Sequence, residues 1–291
     1  MKKLIFSLLV FFFTISLFTH CNNATEQTGN KASIDSVDVT KSWKLGVQMW
    51  TFHYFDFTTA LNKVDSAGIK FIEAIPGQPL GGGMKDSFGI GMSADSRAKL
   101  KTILQSKGIS IVAMGVITAS SVDEWKRYFE LAKEFGLSYI TAEPLKNQWN
   151  QVDSLAGIYN IKIAIHDHPK PNDYWSPDSV LAATVGHPNI GSCADVGHWS
   201  RNGLNPVDCL KKLEGHVYGV HLKDIKEFNN TDAKDTTVGN GINDFPGIFA
   251  ELKRQGFTGM LSIEQESNWY NNVPDVINTR KYFTEQVAKL K

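Results

Sequence analysis

Residues 121–143 read SVDEWKRYFELAKEFGLSYITAE. Ser121 followed three residues later by Glu124 is a capping box that opens a helix. Trp125, Tyr128, Phe129 and Ala132 then share one face at helical spacing, with charged residues between them. Gly136 ends the pattern, where a left-handed C-cap is expected. Residues 137–143 (LSYITAE) follow as a short strand that finishes on an ionisable group, Glu143. One turn residue therefore separates a helix from a buried strand, which is the rhythm of a parallel βα fold.

The same unit recurs in both directions. Strands are predicted at 44–50, 69–75, 109–117, 137–143, 161–168, 190–195, 217–223 and 257–264. Gly68, Gly108, Gly136, Gly186, Gly215 and Gly256 each close a helical pattern just before a strand, and Asn160 plays that part once. The region 148–159, short and rich in Asn and Gln, is read as the fourth helix. Eight consecutive units predict a single α/β domain, a (β/α)8 TIM barrel over residues 43–291. No GxGxxG follows the first strand, which argues against a doubly wound nucleotide-binding sheet. No second domain is indicated.

Residues before the barrel read differently. Met1-Lys2-Lys3 is a basic head, and residues 4–18 (LIFSLLVFFFTISLF) carry no charge. That run is short for a membrane span, so residues 1–20 are expected to be an export signal. Cys21 follows, as in a bacterial lipoprotein signal, although His20 stands where that motif has a small residue. Residues 21–42 are polar and read as a flexible tether. The expected location is periplasmic, with Cys21 lipidated and the membrane reached only through that anchor. Cys193 and Cys209 are read as free buried thiols.

The chain has 30 Lys+Arg against 30 Asp+Glu. A nucleic-acid partner would call for a basic excess, so none is expected, and a metal-dependent endonuclease is disfavoured. Hydrophobic residues at 42% fit a folded domain.

Barrel active sites form at the C-terminal ends of the strands, and those ends are unusually polar here. The second strand holds Glu73 and the fourth ends in Glu143; the fifth carries His166 and His168. The sixth ends in Asp195 with His198 just beyond; the seventh carries His221, Lys223 and Asp224, and the eighth Glu264 and Glu266. Residues two apart share a strand face, so each pair points the same way. Buried charge at four successive strand ends needs a reason. A divalent ion held by Glu143, Asp195, His221 and Glu264 is the simplest account. That oxygen-rich set suits Mn2+, Co2+ or Mg2+, with Zn2+ also compatible. The competing reading is an ion-pair network centred on Lys223. Trp50, Phe52, Tyr54, Phe55, Trp149, Trp175, Trp199 and Trp269 lie in rim segments and are candidates to stack on a sugar ring.

The segments Glu143-Pro144, Ala194-Asp195-Val196-Gly197-His198, Val220-His221-Leu222-Lys223-Asp224 and Ser262-Ile263-Glu264 resemble the xylose isomerase-like TIM barrel family, often labelled sugar phosphate isomerase/epimerase. Residues 238–245 (VGNGINDF) and 256–264 (GFTGMLSIE) strengthen the likeness, which covers about residues 44–290. The resemblance implies the same four metal ligands. It also implies that Glu143 and Glu264 act as paired acid/base carboxylates and that His198 contacts substrate. The His166-Asp167-His168 run resembles the family's His-x-His, implying substrate contact through His166 and His168. Ketose 3-epimerases of that family carry an arginine six residues after the strand-7 histidine; Glu227 stands there in this chain.

The expected activity is metal-dependent isomerisation or epimerisation of a sugar by proton abstraction next to a carbonyl. Export, and the lack of a P-loop, point to an unphosphorylated sugar. Lys223, Glu73 and Trp50 join the three histidines as candidate substrate contacts. A hydratase or lyase acting on a keto-sugar or keto-polyol is the first alternative, and a non-catalytic sugar-binding lipoprotein the second. The sequence leaves the oligomeric state open.

Overall fold

Eight parallel strands close on themselves in chain order: β1 (Lys44–Gln48), β2 (Phe71–Ala74), β3 (Ser110–Ile117), β4 (Tyr139–Ala142), β5 (Lys162–His166), β6 (Ile190–Asp195), β7 (Val217–Leu222) and β8 (Met260–Ile263). Closure is made where Leu45 of β1 lies opposite Leu261 of β8. A helix or helix pair follows each strand, as the βα reading requires. This computed structural model describes residues 38–290. The expected signal, Cys21 and most of the expected tether lie outside the described residues. Residues 39–42, the end of that expected tether, form one 3-10 turn, and the Trp43 indole next to it donates to the Phe257 carbonyl at 2.7 Å. Among the described residues no helix is long and apolar enough to cross a membrane.

The stretch that decides the fold behaves as its residues dictate. Helix Val122–Phe135 starts with Ser121 Oγ accepting from Glu124 N at 3.2 Å. Glu124 reaches back one residue further than a capping box does, accepting from Ser120 N and Oγ at 2.8 Å each. Trp125, Phe129 and Ala132 are fully buried. Truncating Trp125 to alanine would cost about 3–5 kcal/mol by lost burial and cavity formation. Gly136 ends the helix at φ 70°, a left-handed position open to glycine without a Cβ penalty. Asn160 closes helix Trp149–Tyr159 at φ 54°.

Two apolar regions hold the barrel. Most of the core lies between the strands and their helices, and every residue of β4 and β6 is buried, as in sheets covered on both faces. A separate cluster of Val112, Ala113, Tyr139, Ala164, Cys193 and Met260 sits toward the strand N-termini. Cys193 and Cys209 are both free and buried. Two small additions decorate the C-terminal side. One is a hairpin of Pro79–Gly81 with Met84–Ser87; the other pairs Asp224–Ile225 with Asp235–Thr236.

Candidate active site

The strand ends deliver their polar side chains to one place. His166, Asp195, His221 and Glu264 are all buried, and each offers a donor atom within 4.8 Å of the others. His166 Nε2 lies 3.0 Å from His221 Nδ1, and His221 Nδ1 lies 2.9 Å from Glu264 Oε2. Asp195 reaches its place because it is also the N-cap of helix Val196–Arg201; its Oδ1 accepts from the amides of Gly197 and His198 at 2.9 Å. Asp195 Oδ2 and Glu264 Oε2 are left buried without a directed hydrogen bond. Their charge is met by the Lys223 ammonium, 3.1 and 3.2 Å away, rather than by a directed hydrogen bond.

Glu73 stands below this group. Expected as a substrate contact, it is fully buried and absent from the cavity wall. It accepts from Ser262 Oγ and pairs with His221 Nε2, both at 2.9 Å. With Nε2–H donated to Glu73, loss of the Nδ1 proton would leave a His221 lone pair aimed at the quartet, the arrangement in which a carboxylate orients a metal-binding imidazole.

Glu143, expected among the ligands, stands beside the quartet in a second grouping with His166 and His168, and His166 belongs to both. Its Oε1 is engaged by His168 Nδ1 and its Oε2 accepts from Asn172 Nδ2 at 2.9 Å, which draws the carboxylate toward the wall. It remains 3.8 Å from His166 Nδ1. Burial opposes ionisation of Glu143, but hydrogen bonds from His166 and His168 outweigh it and hold the carboxyl well below its usual range.

Lys223 is completely buried among the same acids. Its ammonium lies 3.1 Å from Asp195 Oδ2 and 3.2 Å from Glu264 Oε2, and donates to Glu266 Oε1 at 2.8 Å. Burial favours neutral lysine, yet Asp195, Glu264 and Glu266 keep it charged. Burial likewise opposes Glu264, and the charges of Lys223 and His221 bring it down to about 2. The stem of Lys223 fits because residue 197 is glycine: a Cβ there would stand 2.6 Å from Lys223 Cγ. Asp224 turns the other way and accepts from the amides of Gly239, Gly241 and Asn243, tying down residues 238–243.

One lysine does not balance Glu73, Glu143, Asp195, Glu264 and Glu266. The histidines make up the difference. Burial would neutralise His166, but hydrogen bonds to Asp195 and Glu143 push it up to about 9. Burial also opposes a charged His221, yet Cys193, Glu73 and Glu264 raise it well above the ordinary imidazole value. Such imidazolium protons occupy the places a divalent cation would fill, and the donor set of two imidazoles and two carboxylates fits one.

Above the quartet opens a cavity of about 370 Å3. Its wall includes Gln48, Trp50, His166, His168, His198 and Glu264. His198 Nε2 is 3.2 Å from Lys223 Nζ, and its Nδ1 faces Arg201 Nη1 at 3.0 Å. Arg201 in turn donates to Asp235 Oδ1 and the Ala233 carbonyl. Burial holds His198 well below its usual range, so the imidazole is neutral.

The rim aromatics divide. Trp50 lines the cavity, whereas Phe52 and Trp199 are fully buried in the core and reach no ligand. Trp149 donates to Tyr174 Oη at 2.8 Å and packs against the core. Trp175 is half-buried beneath Lys170, whose ammonium sits 3.8 Å from its ring centre.

Several residues of the site carried no signal in the sequence. Arg201 ends a helix, Asp235 opens a two-residue strand and Asn172 lies in a loop, each 29 or 34 residues from the acid or base it meets. Asp167, between the two strand-5 histidines, accepts from Asp195 N at 2.9 Å and so braces β5 against β6.

Comparison with known proteins bears on the fold and on the chemistry of relatives. Residues 61–286 match the family profile described as a xylose isomerase-like TIM barrel. An inosose isomerase of Halalkalibacterium halodurans is 25% identical over 191 residues, 57% of this chain and 67% of that protein. An inosose dehydratase of Clostridium botulinum is 29% identical over 161 residues, 50% of this chain and 54% of that protein. The chain thus aligns with little more than half the length of several curated relatives. A crystal structure of an uncharacterized protein from Parabacteroides distasonis is 33% identical, with TM-score 0.69 and coverage of 84% of this chain and 99% of that one. The IOLI protein, solved with a bound zinc atom, superposes with TM-score 0.70 over 85% of this chain and 99% of its own at 21% identity.

Proposed function

The chain belongs to the xylose isomerase-like TIM barrel family, and we propose that it is a metal-dependent isomerase or epimerase acting on an unphosphorylated sugar. The observation that carries this reading is the buried quartet His166, Asp195, His221 and Glu264 at the floor of a sugar-sized cavity. These four residues would hold the ion, with Glu143 beside His166. A bound divalent ion supplies Lewis acidity, polarising a carbonyl so that the neighbouring C–H becomes acidic.

The protein's own groups do the rest. Glu264 is ionised and reaches both quartet and cavity, so it is placed to take the proton from the carbon next to the carbonyl. His198 borders the cavity where enediolate charge would collect, and the buried charge of Lys223 stands 3.2 Å behind it. Glu143, on the far side of His166, is placed to deliver a proton from another direction. Return to the opposite face gives an epimer; return to the adjoining carbon gives an isomer. The inosose isomerase among its relatives is a precedent for such chemistry. Lack of phosphate follows from reading residues 1–21 as an export and lipidation signal, which metabolic labelling with palmitate tests: Cys21→Ser should abolish label.

A second reading has an observation of its own. His168 borders the cavity and shares a hydrogen bond with Glu143, so this pair can hand a proton to a departing hydroxyl, which also suits dehydration of a keto-sugar or keto-polyol. An inosose dehydratase also appears among the relatives. Incubation of metal-loaded protein with sugars in D2O decides between them. Deuterium at carbon with no new absorbance supports isomerisation or epimerisation, and an enone band supports dehydration. Absence of both in every metal-loaded sample, with bound sugar demonstrated, would leave a binding protein.

A further inference from the structure

A row of aromatic rings leads outward from the lip of the catalytic cavity. Trp50 stacks on His53 at 4.0 Å and 10°, and His53 meets Trp269 edge-on at 4.7 Å. Trp269 touches Tyr54 at 5.5 Å, and Tyr54 stacks on Tyr270 at 5.3 Å and 12°. The rings come from two loops, after β1 and after β8, and fix one another without covering their outer faces. Trp50, Tyr54 and Tyr270 remain 43%, 53% and 74% exposed. Core packing does not require them there, and a contiguous exposed patch of this kind marks a binding surface.

The position of the row says what it binds. Trp50 borders the catalytic cavity, while Trp269 and Tyr270 border a second, more open cavity of about 550 Å3. His53 touches the rings of both Trp50 and Trp269, so an aromatic shelf joins the two cavities. Asn268, Asn271 and Asp275 line the outer one. Flat ring faces flanked by amides and a carboxylate match a pyranose, whose C–H face is apolar and whose rim is hydroxylated. The shelf begins at the lip of the catalytic cavity, within reach of a second ring joined to one inside it.

We propose that the shelf is a second sugar subsite, and that the substrate is a glycoside with its reacting ring over the quartet and a second pyranose ring on Trp269 and Tyr270. The inference rests on the sugar reading of the catalytic cavity and adds the size and class of the substrate.

The test is binding by the full chain, followed by tryptophan fluorescence and calorimetry. Glucose, galactose and xylose are compared with cellobiose, maltose, lactose, xylobiose and phenyl β-glucoside. The expected result is that at least one disaccharide binds about tenfold or more tightly than its monosaccharide, and that Trp269→Ala removes the advantage. Tyr270→Ala, at a highly exposed site, checks that the loss is local; monosaccharide affinity should stay unchanged in both variants. Monosaccharides binding as tightly as every disaccharide would overturn the shelf and leave the catalytic reading intact. No sugar binding at all would overturn both. A gain seen only with phenyl β-glucoside, or a dimer dissolved by Tyr270→Ala, would reassign the shelf to an aryl group or to a second copy of the chain.

Discussion

Arg201 Nη1 stands 3.0 Å from His198 Nδ1, one turn away on the same short helix. A guanidinium only donates, so Nδ1 must accept, and a neutral His198 keeps its proton on Nε2, 3.6 Å from Asp195 Oδ2. Lys223 does not alter this, because its ammonium is already directed at Asp195, Glu264 and Glu266. Ring 15N spectra of the protein should place His198 Nδ1 in the unprotonated range and Nε2 in the protonated one. Arg201→Met should mix the two tautomers. A wild-type spectrum with the proton on Nδ1 would refute the assignment.

Arg201 is also the counter-ion of Asp235, and both are buried. Removing one partner strands the other, which costs about 3–5 kcal/mol. Arg201→Met should therefore lower stability in urea by about that amount, and adding Asp235→Asn should recover most of it. Equal stability of the single variant and the parent would show that the pair contributes nothing.

Glu73 fixes His221 from below, with no ligand contact of its own. Replacing an outer partner of this type weakens metal affinity about 10–100-fold. Glu73→Gln should show that loss in a competition assay against a chelator, with the far-ultraviolet spectrum unchanged. Unaltered affinity would mean that Glu73 serves only the barrel interior.

Metal uptake should release protons. His166, at about 9, and His221 are both raised, so they carry protons at neutral pH that a divalent ion must displace. The protonated forms compete with the ion, so affinity should rise with pH, about tenfold per unit for each proton displaced, with the His166 contribution ending near pH 9. Calorimetry in two buffers of different ionisation enthalpy measures the release. Affinity that is flat between pH 6 and 9 would contradict it.

Gly197 lies where a Cβ would press on the Lys223 stem at 2.6 Å. Gly197→Ala should cost about 1–3 kcal/mol by overpacking and displace the ammonium from its three acids. Thermal unfolding reads the first effect, and turnover the second.

Much of this was legible because it depends on local rules. Ser121, Gly136 and Asn160 mark element ends through backbone chemistry acting within a few residues. Alternation along β5, β7 and just past β8 was enough to send His166, His221 and Glu264 to one rim. What local pattern does not contain is choice among partners. Glu143 ends its strand as read, but whether it turns to the quartet or to His168 and Asn172 depends on a loop some 29 residues away. Arg201 looks like a solvated end of a helix until Asp235, 34 residues on, meets it. Trp199 follows a strand end as Trp50 does, yet helix Val196–Arg201 turns it into the core.

The bond network under the quartet runs from Glu73 on β2 to Ser262 on β8 and His221 on β7, inside the barrel and beneath the loops. A barrel is usually treated as an inert frame onto which loops graft chemistry. Here the frame is itself part of the reagent. Transplanting the βα loops of this protein onto another barrel would carry over the aromatic shelf and much of the cavity wall, but leave His221 without the carboxylate that aims it.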